Sequence, residues 1–340
     1  MTVVPSVRHD DEGYDVIGDV HGQHGKLVGL LRHLGYDERD GLWSHPVRRA
    51  VFVGDLIDRG PGQLEVLDLA RRMVDAGTAL IVMGNHEYNA IAWATMRGDG
   101  TDHLRTRLGT KGAKNRSQHG AFLDAVGEDT ALHREWIDWF RTMPLWLDLD
   151  GLRVVHACWH QPSMDVLRPF AVRDDGSWCL DDRAMVATSN KDLEAYAALE
   201  CLLKGPEVRL PNGLAYLDKE LHRRDKARIA WWLADTSTYR LAALIPSKST
   251  TPDGDDFPEL PDTVVSDGDT SIWPVPSYHD DVPVVVGHYW SKSDDLIRDD
   301  RMVCVDLSAA KDLNPLAAYR WSGETAIDGA NLVWVDKSAP

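Results

Sequence analysis

Cysteine is scarce in this chain: four in 340 residues, at Cys158, Cys179, Cys201 and Cys304, with no C-x-x-C pair. Four could close two disulfides, but a chain of this length builds its own core and needs no such staples, so a reduced, cytoplasmic setting is expected. Positive charge is also short. Lys plus Arg number 37 against 54 for Asp plus Glu, a formal charge of −17. Such a field repels phosphate backbones, so broad nucleic-acid binding is not expected. It does not exclude a phosphate substrate, because metal ions can supply the positive charge locally. No apolar run approaches the ~18 residues of a membrane helix, and the amino terminus lacks the basic start and apolar stretch of a secretory leader. No internal repeat is present.

What the chain does have is an ordinary globular composition, 43% hydrophobic and 27% charged, at a length that suits one large domain with insertions. Its amino-terminal half alternates short apolar runs with helical patterns. "YDVIGD" reads as a strand, followed by a helix whose Leu27, Leu30, Leu31 and Leu34 share one face and which stops at Gly35. "RAVFVGD" is a second strand. Pro61 suits a first helical turn, and Leu64, Leu67, Ala70 and Val74 continue the stripe. "ALIVMGN" is a third strand, with a helix through Ile91 and Trp93 after it. Strands alternating with helices predict an α/β fold with a mostly parallel sheet. A helix is expected at 134–142 and a buried strand at "LRVVHAC". The rhythm breaks over about 161–276, where helical pieces are expected at 190–203 and 225–234. The acidic, proline-rich part of that stretch, about 246–269, buries little and is expected to be mobile. "VPVVVGHYW", "RMVCVDLS", "LAAYRW" and "NLVWVD" then suggest an antiparallel meander.

Five apolar runs end in potential ligands: Asp19 and His21; Asp55 and Asp58; Asn85 and His86; His156; and His288. Sites in open α/β sheets form beyond the carboxyl ends of strands, so five strands side by side would deliver these groups to one rim. The donors are oxygen and nitrogen, with no thiolate. They suffice for two divalent cations such as Mn²⁺, Fe, Zn²⁺, Ni or Co, with Mn²⁺ the leading choice. Two cations ~4 Å apart clamp the attacking and leaving oxygens of a displacement at phosphorus and activate a shared water without a protein base. A lone "GDVHG" is weak evidence and a lone His288 is more often a core histidine, but chance turns do not account for all five ends in order.

The ordered set "GDVHG", "GDLIDRG", "GNHE", "VVHA" and "VVGH" resembles the motifs of the phosphoprotein phosphatase branch of the calcineurin-like metallophosphoesterases. "GDLIDRGPGQLEVL" is most similar to its small bacterial members, some of which are protein phosphatases and some diadenosine tetraphosphate hydrolases. The resemblance implies a layered αββα sandwich with a mixed sheet core and an inserted cap. Residues 1–340 would form one such domain, with the unmatched insert at about 161–276. It further implies that Asp19 and His21 hold the first metal, that Asp55 bridges, and that Asn85, His156 and His288 complete the second. His86 would be the general acid, charged and held by Asp58, and Arg59 would bind the phosphoryl oxygens. The expected activity is hydrolysis of a phosphomonoester, in a phosphoprotein or a small metabolite, by a hydroxide bridging the metals. The alternative is a dinucleoside polyphosphate or a phosphodiester. A non-catalytic binding module would be favoured by a missing acid or bridging ligand, and none is missing.

Two departures qualify the resemblance. His156-Ala157-Cys158 stands where eukaryotic-type phosphatases have His-Gly-Gly, and "DRG" carries an aspartate that the symmetric diadenosine tetraphosphate hydrolases lack. Cys158 shares a strand face with His156 and is expected to be an inert thiol. The second phosphate-binding arginine has no motif, leaving Arg168, Arg173 and Arg209 as candidates. The basic stretch "RTRLGTKGAKNRSQHG" could be a solvated loop, or an arm bringing Lys111, Lys114 or Arg116 to further substrate phosphates. "KGPEVRLPNG" is a similar rim candidate, with Lys204 and Arg209.

Overall fold

A computed structural model describes residues 12–218, 221–292, 296–311 and 313–335. Residues 1–11, where the stretch read for a leader begins, lie outside this set. Two five-stranded mixed sheets form the centre. The first runs Leu332–Trp334, Ala317–Trp321, Gly13–Ile17, Arg48–Phe52, Ala79–Ile81 in spatial order, its last three strands parallel. The second runs Ile297–Asp299, Met302–Cys304, Val284–Val286, Leu152–Val155, Trp146–Leu149, with the middle three parallel.

Alternation along the strands explains why the sheets stack. Val16, Val51, Val53, Val154, Val285 and Val303 point to one side and share a buried cluster drawn from both sheets. Ile17, Phe52, Val155, Val284 and Val286 point the other way, into a larger cluster with the helices. Strands buried on both faces read as continuous apolar runs. The result is the expected αββα layering. Helix His24–Leu34 buries Leu27, Leu30, Leu31 and Leu34 and ends on Gly35 at φ 90°, where the left-handed backbone favours glycine. Helix Gln63–Asp75 begins two residues after Pro61, and Asn85–Ala94 follows the third strand.

Two expectations change. The carboxy-terminal strands are not one antiparallel meander: Val284–Val286 and Met302–Cys304 pair in parallel in the second sheet, while Ala317–Trp321 and Leu332–Trp334 close the edge of the first. Neighbourhood in sequence does not decide which sheet a strand joins, because apolar faces of both are available. The helix expected at 225–234 is a strand, Lys226–Ile229, central in a small antiparallel sheet with Glu207–Arg209 and Ala243–Leu244. Its burial alternates, with Ala227 and Ile229 inside, a period of two rather than 3.6. Within the same insert, Leu199, Leu202, Trp231 and Trp232 join the cluster that holds Ile17 and Phe52. In the stretch 246–269, Leu260 and Val265 are buried.

Candidate active site

Three of the loops that carry the expected ligands leave the first sheet and two leave the second, so the rim is shared between sheets rather than lying along one. The loops are locked together before any ion is considered. Glu87 is fully buried and its carboxylate accepts from the backbone N–H groups of Asp55, Leu56 and Gly84 at 2.8–3.0 Å. Gln63 accepts from Asp58 N–H at 2.8 Å and donates to Gly60 O at 2.7 Å, which fixes the "DRG" turn. Close approach is tight enough that a Cβ on Gly84 would meet Asp55 Oδ1 at 2.2 Å. His21, Asp55, Asp58, Arg59 and His288 all have φ between 46° and 71°. For non-glycine residues this is a strained region that persists only where the surroundings dictate it, and it clusters at the site.

Asp55 sits between two groups of donors. Its Oδ2 is 3.7 Å from His21 Nε2 and 3.8 Å from His86 Nε2, and its Oδ1 is 3.5 Å from His156 Nε2. His21, Asp55 and His86 form one set whose donor atoms lie within 4.8 Å of one another, and Asp55, His156 and His288 form a second. Asn85 Oδ1 faces His156 Nε2 at 3.2 Å and His288 Nδ1 at 2.8 Å. The Nδ1 atoms of His21 and His156 are spent on the carbonyls of Ile57 and Val53, at 2.8 and 2.7 Å, which turns each Nε2 toward Asp55. His21 Nε2 is buried without a hydrogen-bond partner. Asp19 accepts from His288 N–H at 3.2 Å.

The donor set fits divalent cations electrostatically as well. Burial, with Asp306 nearby, holds the Asp19 carboxyl well above its usual range, and burial also raises Asp306. Burial would raise Asp55 too, but His156 and His86 bring it well below. Burial presses His156 toward neutrality, yet Asp55 outweighs it and lifts this histidine to about 10. His21 is pushed down to about 3 by burial. A buried cluster of carboxylates thus relies on protons that a cation would displace.

Beside this centre, Asp58 holds two histidines. His86 Nδ1 lies 2.5 Å from Oδ2, and His119 Nδ1 lies 2.8 Å from Oδ1. Burial of Asp58 is outweighed by these two rings, and its carboxyl stays below the usual range. Burial lowers His86, but Asp55 and Asp58 outweigh it and the ring ends above its ordinary value. Arg59 is exposed, its guanidinium 4.7 Å from the ring centre of Trp290 and 3.5 Å from His86 Nε2.

Sequence reasoning missed several of these groups. Arg228 lines the cavity over the centre with Asp55, Arg59, Asn85, His86 and His288, and its Nη1 is buried without a partner. None of Arg168, Arg173 and Arg209 lines that cavity. Arg228 was hidden in a stretch read as a helix, where alternation of apolar residues was the available signal. His119 and Trp290 had no sequence signal. Glu87 did: it stands three residues after Gly84, the spacing of a capping box. Of the cations offered as substrate contacts, Lys111 and Lys114 are exposed, Arg116 pairs with Asp124, Lys204 with Glu200 and Arg209 with Asp225. None of these five lines the cavities at the centre, which instead take Arg105, Ser117, Gln118 and His119 from the basic stretch. Cys158 is fully buried and its thiol is pushed well up by burial. No helix among the described residues is long and apolar enough to cross a membrane.

The bis(5'-nucleosyl)-tetraphosphatase PrpE [asymmetrical] of Halalkalibacterium halodurans is 50% identical over 74 residues, 22% of this chain and 30% of that protein. The symmetrical bis(5'-nucleosyl)-tetraphosphatase of Methylobacillus flagellatus is 32% identical over 144 residues, 42% of this chain and 41% of that one. The chain therefore spans well under half the length of these curated relatives. A serine/threonine protein phosphatase from Saccharomyces cerevisiae with similarity to human phosphatase PP5 superposes with a TM-score of 0.48 at 14% identity, over 98% of this chain and 81% of that one. The calcineurin-like phosphoesterase profile matches residues 14–194, which take in every site loop except that of His288. With more than half its length inside that profile, the chain belongs to the calcineurin-like phosphoesterase family.

Proposed function

We propose that the protein is a metal-dependent hydrolase of phosphate esters or anhydrides. Asp19, His21, Asp55, Asn85, His156 and His288 would hold two divalent ions, with Mn²⁺ the leading choice for this mixture of carboxylate, amide and imidazole donors. The observation that carries the reading is Asp55, one buried carboxylate with histidines on both oxygens, beside a histidine that a second aspartate keeps charged. When bound, two such ions supply Lewis-acid stabilisation of phosphoryl charge and lower the pKa of water.

The chain's own residues supply the rest. His86 donates its Nδ1–H to Asp58 and carries a proton on Nε2, the atom facing Asp55, from which it protonates the leaving oxygen. Asp58 fixes the ring and stabilises its charge. Arg59 and Arg228 neutralise phosphoryl oxygens from two sides of the cavity, Arg59 steadied by Trp290. Two substrate classes fit. One is a phosphomonoester in a phosphoprotein or small metabolite. The other is a dinucleoside polyphosphate, favoured by the 50% identity to the PrpE protein over 74 residues.

A turnover screen tests the reading: stripped and Mn²⁺-reconstituted protein against a phosphopeptide, an aryl phosphate, an aryl phosphodiester and diadenosine tetraphosphate. Hydrolysis of at least one substrate that depends on metal is expected. No hydrolysis by the reconstituted protein, or full activity after exhaustive chelation, contradicts it.

A further inference from the structure

A second cavity, of about 630 Å³, shares Arg59, Asn85 and His86 with the one over the centre and is lined further by Asn89, Arg105, Gln118 and His119. That volume is on the scale of a small-molecule site, roughly 300–1,000 Å³. A serine or simple alcohol leaving group does not need it. His86 lines both this cavity and the one over the centre, so a group that this ring protonates has room to extend into it.

The charge inside it is unusual for this chain. Arg105 is half-buried. Its Nη1 donates to Asn89 Oδ1 at 2.8 Å and its Nη2 to Gln118 Oε1 at 2.9 Å. Both acceptors are neutral amides. They orient the guanidinium without cancelling its charge, and among the described residues no carboxylate lies within ion-pair distance of it. Arg107, two residues on, is paired with Glu128 and Asp129, and Arg116 with Asp124. Asp58 and Glu200 are near enough to act on the charge of Arg105 without contacting it, so in a protein of net charge −17 this half-buried cation keeps its hydrogen-bonding edge free of any paired carboxylate. Arg105 Nε is buried and unpartnered, so one donor of the guanidinium remains after the amides are served. Asn89 follows His86 by three residues on helix Asn85–Ala94, so one helix face carries both the proton donor and the anchor of Arg105.

We propose that this cavity is the leaving-group subsite and that it takes a phosphorylated leaving group, with Arg105 as its anchoring cation. The substrate is then a phosphoanhydride of the nucleoside polyphosphate class. The inference rests on the phosphoesterase reading and selects within it. Water oxygen forms the new bond to phosphorus, and the bridging P–O bond breaks with its electron pair on the departing phosphate. His86 protonates that oxygen, water's displaced proton passes to solvent, and Arg105 holds the charge on the next phosphate along.

The test compares Mn²⁺-loaded wild type with Arg105→Gln and Arg105→Lys on diadenosine tetraphosphate and on an aryl phosphate, with calorimetric titration of tripolyphosphate alongside. Charged hydrogen bonds of this kind correspond to about 10- to 100-fold. Arg105→Gln is expected to lower kcat/KM for the dinucleotide by that factor more than for the aryl phosphate and to weaken tripolyphosphate equally, with Arg105→Lys recovering part of both. Equal losses on the two substrates, or unchanged tripolyphosphate affinity, overturn the subsite. Gln118→Ala, which frees Arg105 from one amide without removing its charge, provides the same comparison if the Arg105 variants do not fold. Tripolyphosphate binding that depends on Arg105 in a protein inert to every phosphate ester and anhydride would keep the subsite and refute the hydrolase reading. The converse result separates them the other way.

Discussion

Replacing Asp58 by Asn keeps the shape of the site and removes one charge, and the structure sets the size of the effect. Each Asp58 oxygen faces the Nδ1 of a different histidine, at 2.5 Å for His86 and 2.8 Å for His119. An asparagine offers one acceptor and one donor, so it serves one ring as Asp58 does and confronts the other N–H with its own. A hydrogen bond to a charged group contributes about 1.5–3 kcal/mol, or about 10- to 100-fold in rate if His86 is the ring that loses its support. The sign with pH follows from the raised value of His86. Its acid form is present below that value and is lost as pH rises through it. In Asp58→Asn the alkaline limb of kcat should therefore begin at lower pH. Bound ions act on both proteins alike, so the displacement between profiles is the readout. The assay is kcat across pH 5–10 on aryl and alkyl phosphates of graded leaving-group pKa, for wild type, Asp58→Asn and His86→Asn. His86→Asn should lose about 10²–10⁴-fold on poor leaving groups and visibly less on good ones. A uniform loss along the series, an unmoved alkaline limb, or loss of an ion from His86→Asn would refute the assignment of His86 as acid.

Asp55→Asn weakens both ligand groups at once and should cost at least one ion per chain by elemental analysis; two tightly held ions with near-normal kcat would contradict the shared carboxylate. Arg228→Ala removes a phosphoryl contact common to every substrate, so it should raise KM on aryl phosphate and dinucleotide by similar factors of about ten, and a selective effect on one substrate would place Arg228 elsewhere. Excising 250–256 should leave the melting temperature within a few degrees. Excising 246–269 removes the buried Leu260 and Val265, each worth about 1.5–3 kcal/mol, and should lower it clearly; calorimetric scans distinguish the two.

The three loops of the first sheet were legible because strand, ligand turn and helix are contiguous in sequence, and each apolar run that ends on charge is visible locally. Which sheet receives His156 and His288 was not, since pairing of Val284–Val286 with Leu152–Val155 joins residues about 130 apart and local pattern says nothing of it. The same distance hid Arg228 and His119, which reach the site from an insert and from a basic stretch whose charges mostly serve surface ion pairs. In that stretch charge density singled out Lys111, Lys114 and Arg116, whereas Arg105, Ser117, Gln118 and His119 line the cavity. Arg105 is distinguished by the anion it lacks, and only packing reveals that.

The central claim is that two ions, sharing Asp55, are needed for hydrolysis at phosphorus. Titrating stripped protein with Mn²⁺ while following phosphate release from an aryl phosphate tests it in one measurement. Release should stay near background without metal and climb until two equivalents per chain are bound. Undiminished release from the stripped protein, or saturation at one equivalent, would contradict the account.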